Sequence, residues 1–449
     1  MDMRLPDVVF HWRDSADTGA VGWVVLDRVI NQVAGGGIFM KDDATLQEVA
    51  DVARNMSSKF TTTAPQIGGA KGGIRFDPGD PRAEGVLRRF LVECAPLLRN
   101  TWVTGADLNT REETVQAVIR EEPSIGLPTS QWALAMRIGR AQDGDEALAR
   151  RRAAQLARLT ETDATEFFPL VDAAVGYGVA EAVGFVTRGL ATPPRVVIVG
   201  AGAVGSSLAW YLTERGLGRV VAIADHEGWV SRAEGLPVRE LLALRREIVP
   251  RGSNREAERA LTRHVPDDNG LGVGVTRRDM RRGQEGLLEL LRSCRAEVFS
   301  ACAGRYQVTH EVLDALDGHT WGRRDERFVV CGANNAFGVF ADGALSEDRA
   351  GAVLLRLRQL GARGVPDWVA NSGTAQFFHL ALGRDCDLGS PEAARGEVGR
   401  LLSDVGARIS SYLEGAQAHA PDVDLFCACE RWAERKLARP ELLPHAGLA

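Results

Sequence analysis

The sequence has very few lysines for a chain of its size. Of the 54 Lys and Arg residues in 449, only four are lysines and the other fifty are arginines. Arginine keeps its proton at any working pH, whereas a buried lysine can be tuned toward the neutral amine. A chain that uses arginine almost everywhere and lysine at a few positions therefore points to sites that need an amine. The four lysines are Lys41, Lys59, Lys71 and Lys436.

Other features that the sequence lacks disfavour whole classes of function. The net charge is −6 and the pI about 5.9, so there is no basic field to attract nucleic acid or anionic lipid. No uninterrupted apolar run approaches the roughly 20 residues that span a bilayer. The first residues also lack the charged-then-apolar pattern of a signal peptide. We therefore expect no nucleic-acid partner, no membrane association and a cytoplasmic protein.

Cysteine usage agrees with a reducing compartment. The seven cysteines are odd in number and scattered along a large chain. Cys427 and Cys429 are too close for the usual zinc pair, and no His or Cys cluster completes them, so we predict no metal site. Hydrophobic content of 45% and charged content of 25% are ordinary for a globular protein, and the length suits two or three domains.

Two of the lysines stand twelve positions apart in unusual surroundings. Lys71 lies between two glycine pairs, in the order Gly-Gly-Ala-Lys-Gly-Gly over residues 68–73. Because glycine has no side chain, this stretch predicts a loop whose backbone can approach a ligand closely. Lys59 ends a predicted helix whose apolar residues recur at helical spacing over residues 46–60. Two plainer interpretations stay open: Lys59 stabilises a helix C-terminus, and Lys71 is a solvated loop charge.

A third candidate is Asp107, which follows a short predicted strand at residues 102–104. Thr110 and Glu113 fit the capping box that begins a helix, so Asp107 lies between a strand end and a helix start. Such a place commonly presents a side chain to a site. The alternative is a turn aspartate that caps the local backbone.

The clearest motif begins at residue 195. A strand is followed by three glycines in a G-x-G-x-x-G pattern, a helix, and a second strand ending twenty residues later in an aspartate. The glycines permit a tight turn, close approach to a pyrophosphate at the helix N-terminus, and helix–strand packing, while the aspartate binds ribose hydroxyls and repels a 2′-phosphate. This favours NAD over NADP, although a glycine turn in another α/β unit is the alternative. The predicted cofactor-binding residues here are Gly200, Gly202, Ala203, Val204, Gly205 and Asp225.

Two more strands are predicted at residues 296–302 and 328–331, after a polar, arginine-rich segment over residues 228–295 that we interpret as a surface elaboration. Small residues follow each strand and can lie over a dinucleotide. We predict Ala303 and Asn334 as cofactor contacts there, with a turn-capping role for Asn334 as the alternative.

Taken together, these motifs resemble the Glu/Leu/Phe/Val amino-acid dehydrogenase family. Eight blocks follow the family's order: MSSK, GGAKGGI, GADLNT, VGYGV, VIVGAGAVGS with its aspartate, ACAGRYQVTHEVL, GANN and PDWVANSG. The resemblance implies an α/β fold with an N-terminal α/β substrate and oligomerisation domain, a Rossmann dinucleotide-binding domain, and C-terminal helices that return to the first domain. We place these parts at residues 1–165, 166–345 and 346–449.

The resemblance also implies a reaction and residues that perform it. The reaction would be reversible oxidative deamination of an L-amino acid to the 2-oxo acid and ammonia, with NAD, by a homo-oligomer. Lys71 would activate water and stabilise the carbinolamine oxygen, Asp107 would shuttle protons, and Lys59 would bind the substrate α-carboxylate. The further substrate-binding residues would be Gly36, Gly37 and Asn371, with Asn334 near the nicotinamide.

The sequence departs from the family pattern at several positions. Val175 replaces an expected threonine, and Phe39 stands where a Gly-Gly-x-Arg pattern calls for arginine. Ala34 and Gly35 occupy the place where glutamate-specific members carry a lysine, and Thr374 interrupts the small residues usual in the last block. Without a lysine or arginine at these positions, the side-chain carboxylate of glutamate would have no partner, and burying it unpaired would cost roughly several kcal/mol. We therefore expect an apolar or aromatic substrate rather than glutamate.

Two other functions stay open at this point. The chain could be a catalytically silent homologue that binds dinucleotide, but a silent site is free to lose Lys59, Lys71 and Asp107, and all three are present. It could also be an imine or oxo-acid reductase of a biosynthetic pathway, which the same motifs would serve.

Overall fold

A computed structural model describes most of the chain as two compact units. The described residues are 5–142, 146–248, 261–262, 265, 276–279, 283–318, 320–337, 340–341, 344–345 and 347–438. The first unit comprises Met1–Thr160, Phe378–Glu397 and Ala433–Ala449, and the second comprises Glu161–Phe377 and Val398–Trp432. Parts of the arginine-rich segment over residues 228–295, and the last residues of the C-terminal helical part predicted over residues 346–449, lie outside the described residues.

The first unit is built around a mixed sheet. Its strands are β1 (Val8–Arg13), β2 (Val21–Leu26), β3 (Ala34–Gly35), β4 (Ile38–Lys41), β5 (Gly68–Arg75) and β6 (Trp102–Val103). Its helices are α1 (Leu46–Lys59), α2 (Ala83–Glu93), α3 (Ala95–Asn100), α4 (Glu112–Glu121), α5 (Ser130–Gln142) and α6 (Glu146–Thr160), and a short 3₁₀ turn, Phe60–Thr62, follows α1.

The glycine-rich stretch is a strand in this sheet and not the predicted loop. The sheet order is β1-β2-β5-β3-β6, with β4 also pairing with β5. Strands β1, β2 and β5 are antiparallel neighbours, whereas β3 and β4 run parallel to β5. Lys71 lies in the middle of β5, opposite Val25 of β2.

Packing explains the glycines of this strand better than ligand approach does. A Cβ atom at Gly69 would lie 2.0 Å from the backbone nitrogen of Ser57, so helix α1 lies directly on β5. The hydroxyl of Ser57 accepts the N–H of Gly69 at 3.2 Å and donates to Asp27 at 2.5 Å. The end of α1, which carries Lys59, is thereby fixed against the strand that carries Lys71.

Strand β5 lies deep in this unit. Both faces of its neighbour β2 are covered by hydrophobic clusters. Val24 and Leu26 belong to the hydrophobic cluster that includes α2 and α4, while Trp23 and Val25 belong to a second cluster that includes α1. Side chains alternate between the faces of a strand, so β2 contributes to both clusters. Its neighbour β5 is buried at every position from Gly68 to Ile74, and Lys71 is only 2% exposed.

The second unit alternates helices and strands. Its strands are β7 (Arg195–Val199), β8 (Arg219–Ala224), β9 (Gly228–Ser231), β10 (Thr276–Asp279), β11 (Val298–Ala301), β12 (Phe328–Val330), β13 (Phe340–Ala341), β14 (Ala344–Leu345) and β15 (Arg363–Val365). Its helices are α7 (Leu170–Thr187), α8 (Ala203–Glu214), α9 (Val238–Ile248), α10 (Gln284–Ser293), α11 (His310–Asp317), α12 (Glu347–Gln359) and α13 (Asp367–Ala370). The last helices, α14 (Gly373–Gly383), α15 (Pro391–His419) and α16 (Leu425–Ala438), contribute residues to both units.

The main sheet of this unit confirms the predicted Rossmann arrangement. Its order is β10-β9-β8-β7-β11-β12-β15. The five strands from β8 to β15 are parallel, and β9 and β10 extend them in antiparallel fashion. The strand order reverses between β7 and β11, and ligands of open α/β sheets bind in the crevice at such a point.

Helix α7 is a core helix of this unit. Among the described residues it is the one helix long and apolar enough to cross a membrane by length and composition, and 72% of it is buried inside the protein. Its glycines permit close packing, since a Cβ at Gly176 would lie 2.1 Å from the hydroxyl of Ser207 in α8. Burial against neighbouring helices accounts for its apolar composition.

Candidate active site

Lys71 and Asp107 form a buried ion pair in the first unit. The ammonium nitrogen of Lys71 donates to Oδ2 of Asp107. The Lys71 side chain is 2% exposed and that of Asp107 is 17% exposed, so Lys71 is not a solvated loop charge. Oδ1 of Asp107 also accepts the N–H of Leu108, so the aspartate caps its own turn and faces the lysine as well. An amine and a carboxylate in contact form a pair that can exchange a proton.

The turn that presents Asp107 is held differently from the predicted capping box. Helix α4 begins at Glu112 with Arg111 as its N-cap residue, and the Arg111 side chain makes no capping hydrogen bond. The Thr110 hydroxyl instead donates to the carbonyl of Ile38 at 2.7 Å. The carboxylate that contacts the turn belongs to Glu112, one residue before the predicted Glu113. It accepts the N–H of Ala106 at 2.6 Å.

Lys59 is the last residue of α1, as predicted, and it is buried. It is 7% exposed, and the hydroxyl of Thr62 donates to its carbonyl at 2.7 Å. The structure thus brings Lys59, Lys71 and Asp107 into one unit, on the end of α1, strand β5 and the turn after β6.

Gly36 and Gly37 lie between β3 and β4, where neighbouring backbone leaves no space for side chains. A Cβ at Gly36 would lie 1.7 Å from the carbonyl oxygen of Ala70, and one at Gly37 would lie 2.6 Å from that of Ala106. Packing against the strand of Lys71 and the turn of Asp107 therefore requires glycine at both positions. Their contact with substrate stays a prediction.

The two remaining lysines differ in their surroundings. Lys41 is a partly exposed residue paired with Asp43 at 2.9 Å and Glu48 at 3.3 Å. Lys436, on α16, donates to the carbonyl of Thr61 at 2.9 Å, and burial lowers its pKa to about 8. Sequence reasoning assigned Lys436 no role, although the scarcity of lysine was a signal that applied to it equally. Its ammonium group holds the 3₁₀ turn that directly follows Lys59.

The glycine motif lies at the crevice between β7 and β11. Gly200 has a φ of +114°, and a Cβ there would lie 2.4 Å from the nitrogen of Ala303. A Cβ at Gly205 would lie 1.8 Å from the carbonyl oxygen of Gly200, as expected for close helix–strand packing. At Gly202 and Gly304 the described residues leave open space where a side chain would be. The backbone is thus accessible to a ligand at the N-terminus of α8, flanked by Ala203 and Val204, which suits a dinucleotide pyrophosphate.

Asp225 directly follows β8, within one residue of its predicted place, but its carboxylate already accepts several hydrogen bonds. Oδ1 accepts the N–H of Glu227 at 3.0 Å, the N–H of Gly228 at 3.2 Å and the hydroxyl of Thr262 at 2.5 Å. Oδ2 accepts the N–H of Thr262 at 2.9 Å. A carboxylate has about four acceptor sites, so Oδ2 is the oxygen with capacity for a ribose hydroxyl. Thr262 lies far from Asp225 in sequence, and no local pattern indicated the contact.

Two asparagines predicted near the nicotinamide and substrate meet in the second unit. The side-chain amide of Asn371 donates to Oδ1 of Asn334 at 3.0 Å and to the carbonyl of Gly332 at 3.2 Å. Asn371 is 4% exposed, and within the described residues its Oδ1 has no hydrogen-bond partner. Buried amide oxygens are rarely left unpaired, so this atom suits a donor on a bound ligand such as a carboxamide.

The departures at Val175 and Thr374 are accommodated in the same unit. Thr374 donates its hydroxyl to the carbonyl of Val171 on α7 at 3.1 Å. The neighbouring Gly373 comes so close to α7 that a Cβ would lie 1.8 Å from the carbonyl oxygen of Ala174. Val175 is half-buried on the same helix and has no hydroxyl to offer a ligand.

These features describe a two-unit α/β protein with a Rossmann dinucleotide-binding unit and a buried lysine–aspartate pair in the other unit. Residues 6–123 match the model of the Glu/Leu/Phe/Val dehydrogenase dimerisation domain, and residues 170–377 match that of the Glutamate/Leucine/Phenylalanine/Valine dehydrogenase domain. The chain belongs to this family, which confirms the resemblance read from its motifs.

Individual relatives are distant. A glutamate dehydrogenase of Thermotoga maritima is 26% identical over 237 residues, which is 50% of this chain and 50% of that protein, so the match spans about half of the relative's length. The structure of Plasmodium falciparum glutamate dehydrogenase 2 has a TM-score of 0.62 at 17% identity over 97% of this chain and 85% of that chain. The Leu-bound hetero-hexameric glutamate dehydrogenase of Thermus thermophilus has a TM-score of 0.59 at 22% identity over 97% and 90%. These structures show a shared fold.

Proposed function

We propose that this protein is a nicotinamide-dependent L-amino-acid dehydrogenase. It converts an amino acid, water and NAD⁺ into the 2-oxo acid, ammonium, NADH and a proton, and it catalyses the reverse reaction. The observation that carries the proposal is the buried Lys71–Asp107 pair in a chain that belongs to this family. A catalytically silent relative has no need to keep a buried amine paired with a carboxylate, because burying charged groups is costly.

Each of the three polar residues of the first unit has a distinct task in this reaction. Lys71 accepts a proton from the attacking water and stabilises the oxygen of the carbinolamine, because a lysine that can lose its proton in a dry site is a competent base. Asp107, in contact with Lys71, passes protons to and from the amine. Lys59 binds the α-carboxylate through a charge-assisted hydrogen bond. The dinucleotide, held by the glycine turn before α8, supplies the hydride acceptor.

The substrate we propose has an apolar or aromatic side chain. Phe39, which replaces the family's arginine, is completely buried in the cluster beneath α1. The residues able to supply a second cation are arginines of α5, α6 or the C-terminal helices. Within α6, Arg150 pairs with the Glu146 carboxylate of the same helix at 2.6 Å, and two other arginines of α5 and α6 donate to backbone carbonyls. Arg137 donates to the carbonyl of Trp102 at 3.5 Å, and Arg152 to that of Gly383 at 3.4 Å. Burial also lowers the pKa of Arg137, to about 10.

A substrate panel tests both the reaction and the side-chain preference. Purified protein is offered L-amino acids with NAD or NADP, and 2-oxo acids with ammonia and the reduced cofactors, while nicotinamide absorbance is recorded. We expect turnover of leucine, valine or phenylalanine to exceed that of glutamate by about tenfold or more, since each tenfold corresponds to about 1.4 kcal/mol. Robust turnover of glutamate without the apolar amino acids would contradict the side-chain preference. Turnover of oxo acids only with amines other than ammonia would identify an imine reductase instead.

The cofactor we propose is NAD rather than NADP. The Asp225 carboxylate at the end of β8 can accept a ribose hydroxyl through Oδ2 and repels a 2′-phosphate. We expect kcat/KM for NAD to exceed that for NADP by about tenfold or more, and Asp225→Ser to reduce this ratio. Dissociation constants of both cofactors, measured by fluorescence titration, check the same ratio without turnover. Equal use of NADP by the parent would mean that Asp225 serves the Thr262 contact and not the ribose.

We also propose that the protein is a soluble cytoplasmic homo-oligomer whose small-molecule partners are amino acids and 2-oxo acids. The first family model is that of a dimerisation domain, which supports self-association. The acidic charge balance gives no support to binding nucleic acid or anionic membranes.

A further inference from the structure

The turn that carries Asp107 is attached to β4 on one side. The N–H of Ile38 donates to the carbonyl of Gly105 at 2.9 Å, and the N–H of Asp107 donates to the carbonyl of Ile38 at 2.9 Å. Between these two bonds lies the N–H of Ala106, which points away from β4. It donates to Oε2 of Glu112 at 2.6 Å.

The Glu112 carboxylate is itself fixed by three donors. Besides the N–H of Ala106 on Oε2, its Oε1 accepts the side-chain amide of Gln116 at 2.9 Å and that of Gln131 at 2.7 Å. Gly105 leaves the room for this arrangement, since a Cβ there would lie 2.8 Å from Oε2. A carboxylate that accepts three hydrogen bonds has a defined orientation, and bonds to charged acceptors are the stronger kind.

One of these donors comes from the start of α5, a helix whose function neither the motifs nor the reaction explain. Gln131 supplies the donor to Glu112, and its neighbour Ser130 accepts the N–H of Thr104 at 2.6 Å. The N–H of Ser130 donates to the side-chain oxygen of Gln116 at 2.8 Å. The first residues of α5 are thus bonded both to the chain just before the Asp107 turn and to the carboxylate that holds it.

We propose that Glu112, held by Gln131 of α5, is a positioning residue that fixes the Asp107 turn and so sets the contact between Asp107 and Lys71. This inference rests on the proposed function for its catalytic meaning. A misplacement of about 1 Å in a catalytic group can lower a rate about 10²-fold, so a bond that locates the turn contributes to turnover without touching substrate.

The kinetic test uses a matched pair of variants. Glu112 and Glu113 both lie in the first turn of α4, so each interacts with the helix dipole in the same way, but Glu113 is exposed and does not bond the turn. We expect Glu112→Ala to lower kcat about tenfold or more with KM for the amino acid changed less than about threefold. We expect Gln131→Ala to act in the same direction with a smaller effect, and Glu113→Ala to behave as the parent.

A double-mutant cycle separates positioning from a general loss of structure. If Glu112 acts through Asp107, then Glu112→Ala in the Asp107→Asn background adds little further loss of kcat, because the group it positions is already impaired. Full additivity of the two losses, or equal losses in Glu112→Ala and Glu113→Ala, would overturn the proposal.

A second readout needs no turnover. With ¹³C label at the lysine Cε positions, the four lysines give a simple spectrum, and the Lys71 signal is the one missing from Lys71→Arg. We expect Glu112→Ala to shift this signal and Glu113→Ala to leave it in place. An unchanged Lys71 signal in folded Glu112→Ala overturns the positioning role even if the parent is active. If Glu112→Ala shifts the Lys71 signal but the parent protein turns over no amino acid, the positioning role is supported and the proposed reaction is rejected.

Discussion

Lys71→Arg is expected to lower turnover about 10²-fold or more while leaving NAD binding intact, the usual range for the loss of a general base. Arginine preserves the positive charge that Asp107 faces, but it cannot release its proton at any working pH. The larger guanidinium group also enters a crowded strand, because Lys71 is 2% exposed and its neighbour Gly72 already has Trp102 within 3.0 Å of its Cβ position. The loss of the base acts on the chemical step.

Lys41→Arg is the matched control for this substitution. Lys41 lies on β4, next to β5, but its ammonium group pairs with Asp43 and Glu48 near the surface. We expect its kcat to stay within about twofold of the parent, since substitutions away from core and site have small effects. The measurements are kcat and kcat/KM over pH 6 to about 10, with NAD affinity by fluorescence titration. The parental rate should rise with pH in a step that Lys71→Arg lacks.

Retention of near-parental turnover by Lys71→Arg, with the parental pH profile, would reject the base mechanism. Lys71 would then be a structural charge that neutralises Asp107 in the interior of the first unit. In that case Asp107→Asn should be tolerated better together with a neutral residue at position 71 than alone, because breaking a buried pair leaves one charge uncompensated.

The Rossmann unit could be predicted from local sequence because each of its parts depends on near neighbours. A β-branched run gives β7, the glycine spacing gives the turn, and the apolar residues that follow give α8, all within residues 195–214. The positive φ at Gly200 is a local requirement that only glycine meets without strain. The fold class and the family therefore followed from the motifs.

The setting of Lys71 could not be predicted in the same way. A glycine-rich run has low β-propensity, and it indicated a loop that serves a ligand. The glycines are instead required by tertiary contacts, such as Gly69 against Ser57 of α1, that no local pattern encodes. Strand β5 forms because the neighbouring strands and α1 cover it, and the lysine becomes buried as a consequence.

The contacts of the acidic residues could not be predicted from local sequence. They depend on the exact residue at which a helix begins and on partners that are distant in sequence. Glu113 fitted the capping box, but α4 begins at Glu112, so Glu112 faces the Asp107 turn and Glu113 faces solvent. Asp225 was placed correctly at the end of β8, yet its main partner, Thr262, is 37 residues away. Sequence identified which carboxylates stand near the site, and the tertiary structure determines what each of them binds.

Lys59→Ala is expected to act mainly on substrate binding, in contrast to Lys71→Arg. A hydrogen bond to a charged group contributes about 1.5–3 kcal/mol, so losing the bond to the α-carboxylate should raise KM for the amino acid about 10- to 10²-fold, with a smaller change in kcat. Lys59 is 7% exposed at the end of α1, and Ser57 holds that end against β5, so removal of the side chain leaves the backbone contacts in place.

Competitive inhibitors make this test specific to the carboxylate. Simple carboxylic acids that resemble the substrate but lack the amine should bind Lys59→Ala about 10- to 10²-fold more weakly than the parent. The corresponding amines without a carboxylate should bind both proteins equally, because they offer Lys59 no partner. Lys41→Ala serves as the control and should match the parent with both inhibitor series. If the amines lose affinity as much as the acids do, Lys59 shapes the site as a whole and does not recognise the carboxylate.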